Sequence, residues 1–169
     1  MIILGIDPGT AVTGYGVLRI PLLVEKGNRR VEVLDYGCIR TPGTEEMPKR
    51  LRIIYQMVSE IVCKYRPGEV AIEQVFFNKN TKTALSVGQA RGVIILAASS
   101  KGGRVFSYTP LEIKQAVTGY GRAKKKQVQH MIKKLLLLPK IPFPDDVSDA
   151  IAVALCHYYS RKLRDLAKS

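Results

Sequence analysis

Two histidines and three cysteines are all the imidazole and thiolate ligands that the 169 residues offer. Cys38, Cys63 and Cys156 are far apart, odd in number and form no CxxC pair, so neither a zinc site nor a disulfide framework is legible. Their apolar neighbours predict that they pack as small hydrophobes in a reducing compartment. His130 and His157 have no marked nucleophile beside them, which leaves a Ser-His-Asp or Cys-His hydrolase without support; both read as packing or surface residues. No apolar run approaches the ~18 residues of a membrane span. The opening Met1-Ile2-Ile3-Leu4-Gly5-Ile6-Asp7 has no basic leader and meets a carboxylate at once, unlike a secretory signal. A cytoplasmic protein with no membrane partner is expected. Acid is scarce too: 14 Asp and Glu stand against 27 Lys and Arg, a formal net charge of +13. That excess goes beyond the needs of solubility and points to a polyanionic partner, nucleic acid first.

What is present suits one α/β domain spanning 1–169, since a chain that is 46% apolar can bury a sizeable core. Ile2 to Ile6 is an apolar run suited to a strand buried on both faces, ended after Asp7 by Pro8-Gly9. Thr13 to Ile20 reads as a second strand on which Gly14 and Gly16 leave one face bare. Pro21 to Arg30 reads as a loop and Val31 to Arg40 as a third strand, the three strands forming an antiparallel meander. Met47, Leu51, Ile54, Tyr55, Val58, Ile61, Val62 and Tyr65 recur at helical spacing up to Pro67-Gly68. A short strand follows from Glu69 to Val75, then a helix from about Thr81 to Ser100 and a strand from Val105 to Tyr108. Thr109 and Pro110 look like the cap and first turn of a helix that Gly119 and Gly121 break. A basic helix is expected from about Lys124 to Leu138, a stiff turn at Pro139, Pro142 and Pro144, and a last helix from near Asp146 to about Lys162. The tail from about 163 is expected to be flexible. The order predicts a layered α/β domain around a mixed sheet.

Four acids stand out by position. Asp7 ends the first strand and Glu73 lies late in another, both in apolar runs where an unpaired charge is costly and no Lys or Arg intervenes. Asp146 and Asp149, one helical turn apart, project from one face of the last helix. Converging carboxylates with so few nitrogen donors favour a hard divalent cation over a transition metal. Alternatives exist for each: Asp7 before Pro-Gly suits a turn, and Asp145, Asp146 and Asp149 suit a helix N-terminus. Glu73, framed by Ala71-Ile72 and Val75-Phe76, is the hardest to explain without a ligand.

The segments Gly5-Ile6-Asp7-Pro8-Gly9, Ala71-Ile72-Glu73-Gln74-Val75-Phe76, Gly88-Gln89-Ala90-Arg91-Gly92 and Asp146-Val147-Ser148-Asp149-Ala150 resemble, in order and spacing, the successive blocks of the RuvC family of Holliday junction resolvases. The resemblance covers roughly residues 1–160. It implies a ribonuclease H-like fold with a mixed five-stranded sheet and helices on both faces. It implies a homodimer, two magnesium ions per subunit (manganese as a substitute), and paired symmetric nicks across four-way junction DNA. The ends would be 5′-phosphate and 3′-hydroxyl, and a branch-migration helicase complex would be a partner. The family's metal-binding acids fall on Asp7, Glu73, Asp146 and Asp149; the pair Asp145/Asp149 is geometrically open as well, so the place of Asp146 rests on the resemblance. Two cations about 3.5–4 Å apart would activate water and stabilise the leaving oxygen.

Between Ile113 and Pro144 there are eight basic residues and no acid, which favours phosphate binding over a salt-bridged helix face. Lys114 and Lys125 match lysines that the family uses near the scissile strand, with Lys125 expected to act in catalysis. Arg122, Lys124 and Lys126 are expected to bind DNA, as is Lys79 in the polar loop after Phe76-Phe77. Phe76 matches the family's aromatic that stacks on a base. Gly88 and Gly92, one turn apart, suit close helix packing, either internal or between subunits. Two rivals differ in class. An actin-like ATPase shares the look of Gly5 to Thr10 but needs a second domain, and a catalytically silent junction-binding module would not need four acids. A nuclease for structured RNA with the same fold is a closer rival.

Overall fold

The computed structural model describes residues 1–21, 30–74 and 81–166, with backbone alone at 81–83 and 162–166. Strands β1 (Ile2–Asp7), β2 (Val12–Arg19), β3 (Glu32–Arg40), β4 (Glu69–Glu73) and β5 (Arg104–Tyr108) form one sheet in the order β3-β2-β1-β4-β5. The first three strands pair antiparallel, as the meander required, and β1–β4 and β4–β5 pair parallel. Helices α1 (Met47–Tyr65), α2 (Thr81–Ser99), α3 (Pro110–Thr118), α4 (Lys125–Leu135) and α5 (Asp145–Leu166) complete the fold.

Alternation along the strands divides the core into two layers. Leu4, Ile6, Val17, Val70 and Ile72 face α1 and α2, against Ile54, Val58, Ala90 and Ile94. Ile3, Leu18 and Ala71 face the opposite way, against Ile113, Ile132, Ile151 and Leu155 of α3, α4 and α5. Because the side-chain period is two, Gly5 and Asp7 share the face of Ile3, and Glu69 and Glu73 share the face of Ala71. Thus β1 and β4 present their acids to α5.

Helix α5 lies directly on a floor of glycine. Gly5 pairs with Gly16 and Asp7 with Gly14 across β1 and β2. A Cβ on Gly5 would collide with the Ala150 carbonyl oxygen, one on Gly14 with the Asp146 carbonyl oxygen, and one on Gly16 would lie 2.7 Å from Ile151 Cγ1. The two bare glycines of β2 read from sequence are therefore the seat of the last helix. Val147 and every residue from Ala150 to His157 are buried.

Several local expectations need revision. Helix α4 stops at Leu135 rather than Leu138, because Leu137 takes a left-handed φ of 50°. Helix α5 continues to Leu166, so the tail expected from about 163 begins inside a helix. Cys156 is buried as expected, but Cys63 is exposed on α1 and Cys38 half-buried. Gly88 and Gly92 face open space, with nothing within 4 Å of an added Cβ, so they do not serve internal packing among the described residues. Thr109 does cap α3, accepting from Glu112 N–H at 3.2 Å, and Gly119 ends that helix at φ 76°. Among the described residues no helix is long and apolar enough to cross a membrane.

The glycine floor yields a direct test. Gly5→Ala should destabilise the protein by about 1–3 kcal/mol or more, because helix and sheet must part to admit a methyl group. Gly43→Ala, in a turn with open space around it, should stay within about 0.5 kcal/mol of wild type. Urea midpoints for the two variants decide; equal midpoints would mean that α5 is not seated on the glycines.

Candidate active site

Ile6 pairs with Ile72 in the parallel β1–β4 ladder, so the next residues, Asp7 and Glu73, leave the sheet side by side. On the other flank of Asp7 stands Gly14, and its bare Cα lets the first turn of α5 settle there with Asp146 above it. Asp149 follows one turn later. A cavity of about 220 Å³ opens at this edge, lined in part by Glu73, Pro110, Ile113, Lys114, Lys125 and Asp149.

The electrostatics are those of negative charge gathered where water is scarce. Burial, then the charges of Glu73, Asp149 and Asp146, push Asp7 up to about 8, with Lys125 opposing. Burial and Asp149 push Glu73 up to about 7, against the lowering effect of a hydrogen bond with Asp7 and of Lys114 and Lys125. Asp149 is also raised, by burial first, with Lys125 working against it. Asp145 differs: it accepts from Gln129 Nε2 at 2.9 Å, which together with Lys125 holds its carboxyl below the usual range. It is exposed, whereas Asp146 is half-buried and its charge is among those that raise Asp7.

Lys125 Nζ lies 2.8 Å from Asp149 Oδ2 and 3.3 Å from Asp145 Oδ2. This counter-charge from α4 was not legible beforehand, because the acids and the lysine belong to different elements. Among the described residues no three His, Cys, Asp or Glu side chains close into a ready-made metal shell. The donor set nevertheless fits a hard divalent cation: all donors are oxygens, and such an ion would offset the burial and the mutual repulsion that raise Asp7 and Glu73.

Lys114, half-buried on α3, lines the cavity with Lys125. Arg122, Lys124 and Lys126 are exposed between α3 and α4 and on the first turn of α4. Phe76 and Lys79 lie outside the described residues. His130 is exposed, with Nδ1 2.7 Å from the Lys126 carbonyl oxygen. His157 is wholly buried and bonded to Tyr108 and Glu69, a network that no sequence spacing announced.

A family profile described as "Crossover junction endodeoxyribonuclease RuvC" matches residues 3–157. The chain belongs to the RuvC family. The RuvC protein of Alkaliphilus oremlandii is 52% identical over 168 residues, 99% of each chain. A solved RuvC structure from Thermus thermophilus superposes with a TM-score of 0.87 at 34% identity, covering 96% of both chains. RuvC from the same organism "in complex with Holliday junction substrate" gives 0.85 at 31%, again over 96% of each. The ribonuclease H-like fold expected from the sequence, a mixed five-stranded sheet with helices on both faces, is thus the fold of the RuvC family.

The raised carboxyls fix a pH dependence. Their folded-state values of about 7 and about 8 exceed the ~4 of an unfolded chain. Below about pH 4 both states hold these protons and stability is unaffected. Between about pH 4, where the unfolded chain releases these protons, and about 7 to 8, where the native acids at last ionise, only the native state holds them. Metal-free protein therefore loses stability progressively across that whole range, and the loss levels off above it. Asp7→Asn should be more stable than wild type at pH 8 by roughly 1–3 kcal/mol, and no more stable at pH 4. Urea melts in chelator at both pH values test this; the same difference at both would show that Asp7 is not strained by its neighbours.

Proposed function

We propose that this chain resolves Holliday junctions in DNA recombination and repair, acting in the cytoplasm as a magnesium-dependent, structure-selective endonuclease. Paired symmetric nicks would leave 5′-phosphate and 3′-hydroxyl ends. The observation that carries the reading is the edge where Glu73 meets Asp149, Lys114 and Lys125 around one cavity, with Asp7 hydrogen-bonded to Glu73 and both carboxyls raised. Membership in the RuvC family supports the same reaction.

In this mechanism Asp7, Glu73, Asp146 and Asp149 hold the divalent cations, two per subunit. When bound, the cations neutralise the phosphodiester and activate water. The acids sit on two strand ends and one helix turn, so their spacing is set by the sheet and by the seating of α5 rather than by loops. Lys125 keeps Asp149 oriented before DNA arrives, and its ammonium is then within reach of the phosphate that enters the cavity beside Lys114. Arg122, Lys124 and Lys126 meet the flanking backbone, and Phe76 and Lys79 contact DNA beside the Glu73 strand.

A second copy completes the enzyme. One chain carries one acid cluster, while resolution needs two related cuts, which a two-fold axis supplies. Helix α2 offers the surface: Leu85 and Leu96 are 65% and 57% exposed, and Gly88 and Gly92 between them admit a close neighbour. A branch-migration helicase complex is the further partner.

On a mobile synthetic four-way junction, magnesium should be required for nicking. Asp7→Asn and Glu73→Gln should abolish cleavage while junction affinity stays within about threefold of wild type, since neither acid attracts phosphate. Cleavage above about a tenth of the wild-type rate in either variant would contradict the two-metal reading.

Leu96→Glu should split the dimer in sedimentation and leave each chain folded, with paired cutting lost. An Leu96→Glu protein that remains dimeric and makes paired cuts would move the interface elsewhere.

A further inference from the structure

The core layer beneath α5 contains a row of polar side chains. Tyr108 Oη lies 2.7 Å from His157 Nδ1, and His157 Nε2 lies 2.8 Å from Glu69 Oε2. Glu69 Oε1 accepts from Arg104 at 2.5 Å, and Arg161 stands 3.8 Å from the other oxygen. His157 is 0% and Glu69 3% exposed. A carboxylate only accepts, so Nε2 carries the proton donated to Glu69. Buried ionic groups seldom stabilise more than apolar residues of the same shape, so a row like this one has its use in fixing geometry.

The geometry points to a clasp: we propose that the His157–Glu69 bond is a positioning contact that sets the spacing of Asp149 against Glu73 at the other end of the same two elements. Four strand residues separate Glu69 from Glu73, about 13 Å. Eight helical residues separate His157 from Asp149, about 12 Å and about 2.2 turns, so both fall on the broad face that α5 turns to the sheet. The two rulers match and run in opposite chain directions. Closing one end therefore brings the carboxylates together at the other. A directional bond helps because the sheet side of the contact between the ends is bare. Gly5 faces Ala150 and Ala154, and Gly16 faces Ile151, and glycine on the strands gives the helix few stops against sliding or turning. A slip of one residue would carry Asp149 about 1.5 Å along the axis and turn it by about 100°, and displacements near 1 Å cost roughly 10²-fold in rate.

The inference rests on the reading that Glu73 and Asp149 hold cations at one site, and the test separates the two. In the full chain, Mn²⁺ binding would be measured directly by titration calorimetry, beside junction affinity and single-turnover cleavage. His157→Ala should weaken Mn²⁺ binding about 10-fold and slow cleavage about 30-fold or more, with junction affinity within about threefold. His157→Gln, which can still donate to Glu69 and accept from Tyr108, should recover most of both. Val62→Ala, buried on the opposite face of the sheet and compared at equal loss of melting temperature, should change neither by more than about threefold. If His157→Ala fails to fold, Glu69→Gln keeps the shape, weakens the bond, and should give an intermediate loss of Mn²⁺ affinity. Variants at His157 or Glu69 that match the Val62 control would reduce the row to core packing and overturn the clasp. Unchanged Mn²⁺ binding in Asp149→Asn would instead overturn the cation reading beneath it.

Discussion

Everything at the acidic edge depends on how close one helix comes to a sheet. Gly5, Gly14 and Gly16 remove the side chains that normally hold a helix about 10 Å from a sheet, and α5 descends into that space with its own alanines against them. The approach brings the backbone of Asp146 onto the strand partner of Asp7. A floor with ordinary side chains would keep the same fold and the same four acids but hold two of them away from the other two. Packing and chemistry are here one constraint, since the residues that allow contact are absent side chains and cannot be traded for larger ones.

The charge distribution has two scales. Over the whole surface, +13 attracts a polyanion from a distance and falls off within a Debye length. Within a few ångströms of Asp7 the sign is reversed, and burial makes that reversal costly enough to raise two carboxyls to about 8 and about 7. Lys114 and Lys125 stand at the boundary. A phosphate drawn in by the basic surface thus meets, just past these two lysines, an edge of the opposite sign.

Much of this was legible from the chain. The strands around Asp7 and Glu73 were plain because buried parallel strands leave continuous apolar runs, and the bare face of Gly14 and Gly16 was visible, though not what covers it. Thr109 announced its helix by cap chemistry. The end of α4 was misplaced because leucines 135–138 continue an apolar pattern that the left-handed Leu137 interrupts, and leucine carries no signal for that conformation. The Lys125–Asp149 pair and the Tyr108–His157–Glu69 row were invisible for another reason: they join residues far apart in sequence, and spacing reports only what lies within one element. The place of Asp146 against Gly14 was hidden in the same way, because it is a fact about a different strand.

Asp7 and Asp149 lie near opposite ends of the chain, roughly 140 residues apart, a separation that makes their meeting a late event in folding. During synthesis at about 5–20 residues per second, the first strand leaves the ribosome well before α5 exists to cover it. Throughout that interval two of the four acids at the edge have yet to be made. A chain cut short before α5 would lack the helix that covers Gly5 and Gly16. The acidic edge is thus among the last parts of the molecule to close, after translation has passed α5.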